Sequence, residues 1–444
     1  MLNSVKKLIP KPIFSFYHKM LAALANFIYR SPSDNMVVIG VTGTAGKSTV
    51  VYLIAKMLDQ AGYRVGATST LFFKVGKKEW LNNKMMTMPG RFELQKMLSD
   101  MSKANCQYAV IETTSQGIEQ FRHAHINYDI LVFTNLYPEH IEAHGGFDNY
   151  KKAKLKLFSN LKDCSYKVIA NQEVPKIIIA NLDDEHAPDF LNHEADLKYG
   201  YTTTNNSLQN GRIVRAEKIG QTISGGEFVV ENTPFHLSIL GKHNIYNTLA
   251  AITVGSSQGL SLNKMSEIFS RIPGVPGRLE FINEGQPFKI IIDYAFEPKA
   301  VEKLYEVAAT LPHEKIIHVL GSAGGGRDVA RRPVLGKIAG QKADYVIVTN
   351  EDPYDDDPQS IIDQVAAGAA EAGKKSRKDL FKYLDRRKAI NKALSLAGPN
   401  DLVLITGKGS EQAMVVKNNK KIPWDDRQVT REELKKINNH NLSQ

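Results

Sequence analysis

The sequence predicts an α/β protein. A P-loop-type central domain, built on a parallel sheet with a small antiparallel insert, is followed by a Rossmann-like α/β C-terminal domain. Three observations carry that prediction. Short apolar runs alternate with helical patterns along most of the chain, which favours parallel sheets covered by helices on both faces. A glycine turn, Gly43-Thr44-Ala45-Gly46-Lys47-Ser48-Thr49, separates one such run from one such helix. A second alternating series restarts after Gly274-Val275-Pro276-Gly277, which reads as a domain junction.

The first segment, residues 1–35, holds Lys6, Lys7, Lys11, Lys19 and Arg30, with no Asp or Glu in its first 30 residues. Phe14, Tyr17, Met20, Leu21, Leu24, Phe27 and Ile28 recur at helical spacing. No uncharged apolar run reaches the ~18 residues of a spanning helix. Ala23-Leu24-Ala25 offers the small residues of a leader cleavage site. The glycine turn follows almost at once and its chemistry is intracellular, so a cleaved leader is not expected. An apolar stripe on a helix is expected to pack on the protein body. A basic amphipathic helix resting on a membrane is the alternative.

The central domain is expected over residues 36–272. Its strands are read at Met36–Val41, Tyr108–Glu112, Ile130–Phe133 and Lys176–Ala180, and its helices at Thr49–Ala61 and Arg91–Ala104. Residues 211–240 differ: Ile213, Val214, Phe228, Val229 and Val230, with a Gly225-Gly226 turn, read as the antiparallel insert. The C-terminal domain, 273–444, is expected to place buried strands at Phe288–Asp293, Lys315–Leu320, Tyr345–Thr349 and Leu402–Thr406. Ligands of open α/β sheets gather beyond the carboxyl ends of the strands. Asp293, Gly321 to Gly326, Asn350 to Asp352 and Gly407 to Glu411 fall there. The polar tail from Thr430 onward reads as a frayed end.

Composition narrows the function. Lys plus Arg is 57 and Asp plus Glu is 47, giving a net charge of +10. That balance suits phosphate-rich ligands or anionic surfaces. No basic tract interleaved with aromatics occurs, so nucleic acid is not an expected partner. Two cysteines, Cys106 and Cys164, leave no disulfide framework and fit a reducing cytoplasm, the expected location.

A strand, a glycine turn and Lys-Ser at a helix start make a triphosphate cradle. Backbone N–H groups and the helix N-terminus face phosphate oxygens, Lys47 adds charge, and the Ser48 hydroxyl reaches Mg²⁺. The spacing is shorter than the general P-loop pattern, because Val41 stands where that pattern has its first glycine. Glu112 ends an apolar strand, where an acid beside such a loop holds the nucleotide's metal. His140 follows the Ile130–Phe133 strand and is a candidate metal ligand. In Tyr150–Phe158, Lys154 lies at the edge of the face marked by Ala153, Leu157 and Phe158. A desolvated lysine has a lowered pKa and becomes neutral enough to react.

These residues, in this order, resemble the Mur ligase superfamily. The resemblance rests on Val41-Thr42-Gly43 to Thr49, Phe133-Thr134-Asn135-Leu136, His140, His144-Gly145, Tyr150, Ala153-Lys154 and Leu157-Phe158. It continues through Gly241-Lys242-His243-Asn244-Ile245-Tyr246-Asn247, Gly277-Arg278-Leu279-Glu280, Asp293-Tyr294-Ala295, Asp385-Arg386-Arg387 and Gly407-Lys408-Gly409 with Glu411. It implies a monomeric, ATP-dependent acid–amino-acid ligase of peptidoglycan precursor synthesis, and so of cell-wall biogenesis, cell shape and division. Its substrates would be an amino acid and a UDP-MurNAc-peptide or related acceptor.

The resemblance also implies residue roles. Gly43, Thr44, Gly46, Lys47, Ser48, Thr49, Asn244, Asn247, Arg278 and Asp293 would bind ATP, with Arg278 at the γ-phosphate and Asp293 on the ribose. Two Mg²⁺ would be held by Ser48, Glu112, His140 and a carbamylated Lys154. Lys47, Lys154, Arg278 and His140 would be catalytic. Thr87, Ser115, Arg122, Arg332, Asp352, Gly407 and Glu411 would bind the other substrates. The implied reaction phosphorylates the acceptor carboxylate and lets the amine displace phosphate, with closure of the C-terminal domain aligning the substrates.

The branch matched best usually carries an N-terminal uridine-nucleotide-binding domain, and only about 35 residues precede the first strand here. That departure motivates an alternative acceptor: a lipid-linked precursor, or a folate-like or polypeptide carboxylate. Family histidines are replaced by Gln116, Phe296 and Ser410. Those losses motivate the other alternative, a nucleotide-binding subunit that needs a partner chain. The family's Asp-Asn-Pro-Arg motif reads Glu351-Asp352-Pro353-Tyr354, so a second carboxylate on the incoming amino acid loses its arginine partner. The next three residues, Asp355-Asp356-Asp357, are expected to favour an ammonium side chain such as lysine.

Overall fold

Parallel pairing dominates the two large sheets of the computed structural model, which describes residues 11–84, 86–138, 144–222, 225–326 and 329–442. The chain divides into two compact units. The first runs to Ser238 and resumes over Lys242–Ile272; the second takes Ile239–Gly241 and everything from Pro273.

In the first unit a nine-stranded sheet runs in the order Arg212–Arg215, Leu197–Thr202, Ile177–Asn181, Ile130–Phe133, Val37–Thr42, Tyr108–Glu112, Val65–Thr68, Phe72–Val75 and Lys78–Leu81. The strands from Arg212–Arg215 to Val65–Thr68 are parallel; the last two add an antiparallel edge. Val37–Thr42 sits mid-sheet and is buried at every position, as a strand covered on both faces requires. In register, Val41 lies beside Glu112 and Thr42 beside Phe133. The carboxyl ends of three neighbouring strands therefore meet at one place.

Two readings of this unit change. Residues Ile213 and Val214 belong to the parallel edge strand Arg212–Arg215, not to the insert. The insert consists of Glu217–Thr222, Gly225–Val230 and Thr233–Leu237, all antiparallel. Gly225 and Gly226 start the middle strand rather than forming the turn, and a Cβ on Gly225 would fall 1.6 Å from the Leu237 carbonyl oxygen.

The N-terminal helix, Lys11–Tyr29, packs against the helix Arg91–Lys103. It does so through Ala22 and Ala25, while Phe16, Met20, Leu24 and Phe27 stay exposed. The expectation that the large apolar stripe faces the body is thus overturned. Small side chains let the two helices approach, and the bulky ones point away.

The second unit carries a six-stranded sheet in the order Glu280–Phe281, Lys289–Asp293, Leu402–Thr406, Ile316–Leu320, Tyr345–Thr349 and Leu380–Tyr383. All pairs are parallel except the first. Its two faces bury separate clusters, one around Ile291, Leu320 and Val365 and the other around Ile292, Ile317 and Ile390. The tail, expected to fray from Thr430, is helical as far as Leu442. Asp426–Leu442 forms a helix whose Val429, Thr430, Glu433 and Leu434 are buried. The anchor is Arg386, fully buried, which donates to Asp426 from Nε at 2.8 Å and Nη2 at 2.6 Å. Breaking a buried pair of this kind leaves an uncompensated charge and costs about 3–5 kcal/mol.

Candidate functional site

The glycine turn leaves the strand Val37–Thr42 and enters the helix Lys47–Gln60, whose N-cap Gly46 supplies no side-chain cap. A helix start of this kind offers unsatisfied N–H groups to an anion. Two glycines are required on steric grounds. Gly43 has φ 151° and a Cβ there would meet Thr134 Oγ1 at 1.9 Å; Gly46 has φ 81° and a Cβ would meet Asn247 Oδ1 at 2.3 Å. The Gly46→Ala variant is therefore expected to weaken nucleotide binding about tenfold, equivalent to about 1.4 kcal/mol. Titration with a fluorescent nucleotide measures this, and an unchanged affinity would contradict the cradle.

The loop is held from the next strand. Thr44 N donates to the Asn135 carbonyl at 2.8 Å, Ala45 N donates to Asn135 Oδ1 at 2.8 Å, and the Thr134 hydroxyl donates to the Ala45 carbonyl at 2.8 Å. Lys47 Nζ donates to the Thr44 carbonyl at 2.7 Å, folding its ammonium over the turn. Asn247 Nδ2 donates to Asn244 Oδ1 at 2.9 Å. Tyr246, on the same helix Lys242–Ser257, is fixed to the sheet end through Asp183 at 3.0 Å. Asn247 thus stands against the turn at Gly46, with Asn244 bonded to it.

Ser48 Oγ donates to Glu112 Oε2 at 2.9 Å, and both are buried. Glu112 Oε2 also accepts from Thr70 N at 2.7 Å, and the Thr70 hydroxyl lies 3.2 Å from Oε1 and 2.7 Å from the Thr87 hydroxyl. A hydroxyl and a carboxylate beside a phosphate cradle are hard-oxygen donors of the kind Mg²⁺ takes. His140 lies outside the described residues. Among the described residues no three His, Cys, Asp or Glu side chains stand together as a metal cluster.

Lys154, on the helix Phe147–Ser159, is buried and donates to the Gly43 carbonyl at 2.7 Å. Its Nζ stands 4.4 Å from the centre of the Tyr150 ring, and Tyr150 OH donates to Thr44 Oγ1 at 3.1 Å. Burial, with a further push from the charge of Lys47, holds its ammonium well below the usual lysine range. Lys154 is therefore more deeply placed than its border position in the sequence suggested.

Nearby, Ser115 Oγ and His144 Nε2 are 3.0 Å apart, and Glu119 Oε1 is 3.1 Å from His144 Nδ1. Both ring nitrogens of His144 thus face polar side chains, although Nδ1 has no hydrogen bond of good geometry. Glu119 was not singled out from the sequence, nor was Thr70. Neither lies in a recognisable spacing, and only the fold brings them to Ser115 and Glu112. Arg122 is bound to Gln120 Oε1 at 2.7 Å and to the Met88 carbonyl.

The second unit gathers its own polar group at the strand ends. Asp293 accepts from Leu279 N at 2.7 Å and from Ala295 N at 2.8 Å. Burial raises its carboxyl from the ordinary value, partly offset by Arg278. The Arg278 guanidinium stacks 4.0 Å from the Tyr294 ring centre. Lys408 is fully buried and donates to both Asp352 oxygens at 2.9 Å and to Glu411 Oε2 at 2.5 Å; Glu411 Oε1 accepts from Tyr294 OH at 3.0 Å. Gly407 has φ 104° and a Cβ there would meet Glu351 Oε2 at 2.4 Å. Arg332 is buried, with its guanidinium on Asp356 at 3.1 Å, Gln364 at 3.0 Å and the Ala323 carbonyl at 3.2 Å.

Each carboxylate of the acidic run 355–357, expected to favour a ligand ammonium, has a partner within the protein. Asp355 accepts from Asn418 N at 2.8 Å, Asp356 pairs with Arg332, and Asp357 caps the helix Pro358–Glu371. Asp355 and Asp357 stay exposed, so their carboxylates keep acceptor capacity beside these bonds.

Glu351, in contrast to Asp352, has an Oε2 buried without a hydrogen-bond partner. Burial pushes its carboxyl up to about 7, and the charge of Asp352 adds to the shift. A carboxyl raised from 4.5 to about 7 on folding favours the folded state below pH 4.5, and that contribution is lost as pH rises through 7. The loss is on the order of 3 kcal/mol. Glu351→Gln should therefore unfold later than the parent at pH 8 and show a flatter dependence between those values. Trp424 lies in this unit, so its fluorescence in a Trp80→Phe background reports the transition. Parallel pH profiles for the two proteins would refute the assignment.

Comparison with known proteins finds relatives of the whole chain. Residues 41–255 match the model of the Mur ligase middle domain, and residues 277–409 match that of the Mur ligase glutamate ligase domain. The chain is 38% identical over 424 residues to the UDP-N-acetylmuramyl-tripeptide synthetase of Roseiflexus sp. (strain RS-1), spanning 94% of this chain and 82% of that protein. It is 32% identical over 419 residues to the UDP-N-acetylmuramoyl-L-alanyl-D-glutamate--2,6-diaminopimelate ligase of Syntrophomonas wolfei, spanning 94% and 81%. A solved structure of a ligase with the latter name superposes with a TM-score of 0.60 at 26% identity, over 91% of this chain and 79% of that one. The Mycobacterium tuberculosis folylpolyglutamate synthase superposes at 0.65 with 16% identity, over 88% and 92%, a likeness of fold alone.

Proposed function

The chain belongs to the Mur ligase family of ATP-dependent peptidoglycan-precursor ligases, and from that premise we propose that it adds an amino acid to a UDP-MurNAc-peptide through an acyl phosphate. The observation that carries this reading is the meeting of Lys47, the Ser48–Glu112 pair and buried Lys154 around one glycine turn.

A free carboxylate is a poor electrophile. In the proposed reaction an acceptor carboxylate oxygen attacks the γ-phosphorus and ADP departs. The amine nitrogen then attacks the acyl carbon, phosphate leaves with the C–O bond electrons, and the nitrogen sheds its proton. The N–H groups at the start of the helix Lys47–Gln60, together with Lys47, hold the triphosphate and meet charge that grows on it. Ser48, Glu112 and a carbamylated Lys154 are the residues that would hold Mg²⁺. The ion supplies Lewis-acid polarisation of the phosphoryl oxygens when bound. Lys154 fits the carbamate role because a neutral amine, not an ammonium, combines with CO₂, and burial favours the neutral form.

The identity of the amino acid turns on Tyr354, where diaminopimelate users of this family carry arginine. A second carboxylate thus lacks an arginine at that position, while Asp355, Asp356 and Asp357 already hold partners within the protein. Purified protein given ATP, Mg²⁺, a panel of acceptors and a panel of amino acids should release phosphate with one combination. The panel includes UDP-linked, lipid-linked and folate-like acceptors. No amino-acid-dependent release with any of them would overturn the proposal.

A further inference from the structure

The helix Lys11–Tyr29 is built inside out for a soluble surface. Phe16, Tyr17, Met20, Leu24, Phe27 and Ile28 are all exposed, Phe27 at 81% and Phe16 at 64%, while Ala22 and Ala25 are buried at 1% and 0%. At about 100° per residue these six side chains share roughly one third of the circumference, opposite the alanine face. An exposed apolar stripe of this size marks an interaction surface.

The charge around it identifies the partner. The chain's first acidic residue is Asp34, whereas Lys6, Lys7, Lys11, Lys19 and Arg30 precede it. Lys19 lies on the flank of the stripe. Its Nζ and that of Lys156, on the adjoining body, stand 5.0 and 4.3 Å from the centre of the Phe121 ring. Burial depresses the Lys156 ammonium, and Lys19 adds to that shift, as expected of neighbouring cations. We infer that this face docks on an anionic lipid bilayer, the bulky side chains entering the acyl boundary and the lysines meeting headgroup phosphates. A second copy of the chain fits less well, since a self-paired contact would set the same cations against each other. No helix among the described residues is long and apolar enough to cross a membrane, so the helix lies on the surface.

Vesicle co-sedimentation of the full chain tests this. Binding to phosphatidylcholine vesicles containing phosphatidylglycerol should exceed binding to pure phosphatidylcholine at least about tenfold and fall at high salt. The variant Phe16→Ser/Met20→Ser/Leu24→Ser/Phe27→Ser should lose about tenfold of that binding while keeping its melting temperature and nucleotide affinity. The salt dependence of the parent is an independent readout that needs no variant. Absence of vesicle binding, or equal binding by the variant, would overturn the inference. So would a parent that ignores vesicles but forms a dimer dissolved by the four substitutions.

Discussion

Lys154→Met should reduce amide-forming turnover by about a thousandfold and leave ATP binding within a few-fold of the parent. The amine at 154 is buried, reaches the Gly43 carbonyl and is held well below the usual lysine range. Methionine keeps the apolar stem, so the helix Phe147–Ser159 should stay packed. The sign on stability is also fixed. A lysine whose folded pKa is depressed favours folding only above its unfolded value of 10.5, and that contribution is lost as pH falls. The variant should therefore be at least as stable as the parent at neutral pH. Two further measurements separate chemistry from packing. Parent turnover should fall in CO₂-depleted buffer and recover with bicarbonate, and ¹³C-bicarbonate should give a carbamate resonance in the parent but not in Lys154→Met. Full activity of the variant would remove Lys154 from the reaction.

Lys47→Met should lower kcat/KM for ATP on the order of a thousandfold, with most of the loss in kcat. The ammonium of Lys47 is folded over the turn by its bond to the Thr44 carbonyl, at the open start of the helix Lys47–Gln60. Charge on the transferring phosphoryl group is stabilised by a preorganised cation more than by one that must be recruited. An effect confined to KM would show that Lys47 binds the ground state and transition state equally. Steady-state phosphate release at saturating acceptor and amino acid distinguishes the two.

Much of the fold was legible because its signals are local. The runs Tyr108–Glu112, Ile130–Phe133, Tyr345–Thr349 and Leu402–Thr406 are strands at those same bounds. Each is a short, β-branched or apolar run bounded by polar residues, a pattern that burial on both sheet faces imposes directly on composition. Weaker strands escaped notice. Lys78–Leu81 and Leu380–Tyr383 lie at sheet edges, where one side needs no apolar cover and the alternation is diluted by lysine. Thr430 and its neighbours read as a loose tail because Asp426, which ties that helix to Arg386, shows no local sign of its partner 40 residues away.

The sequence by itself determined the most apolar buried strands, the glycine turn between strand and helix, and the place of Lys154 near the apolar face of its helix. Each depends on residue type and spacing within a few residues, where sterics and periodicity act. Tertiary structure alone decided which donors reach which acceptors. It drew Thr70 to Glu112 and Glu119 to His144, gave Asp355, Asp356 and Asp357 internal partners, and turned the apolar face of the first helix outward. Periodicity shows that a helix has two faces, and a cluster of acids shows that charge is present. Which face is covered, and which charge is already paired, depends on groups brought close by folding from far along the chain.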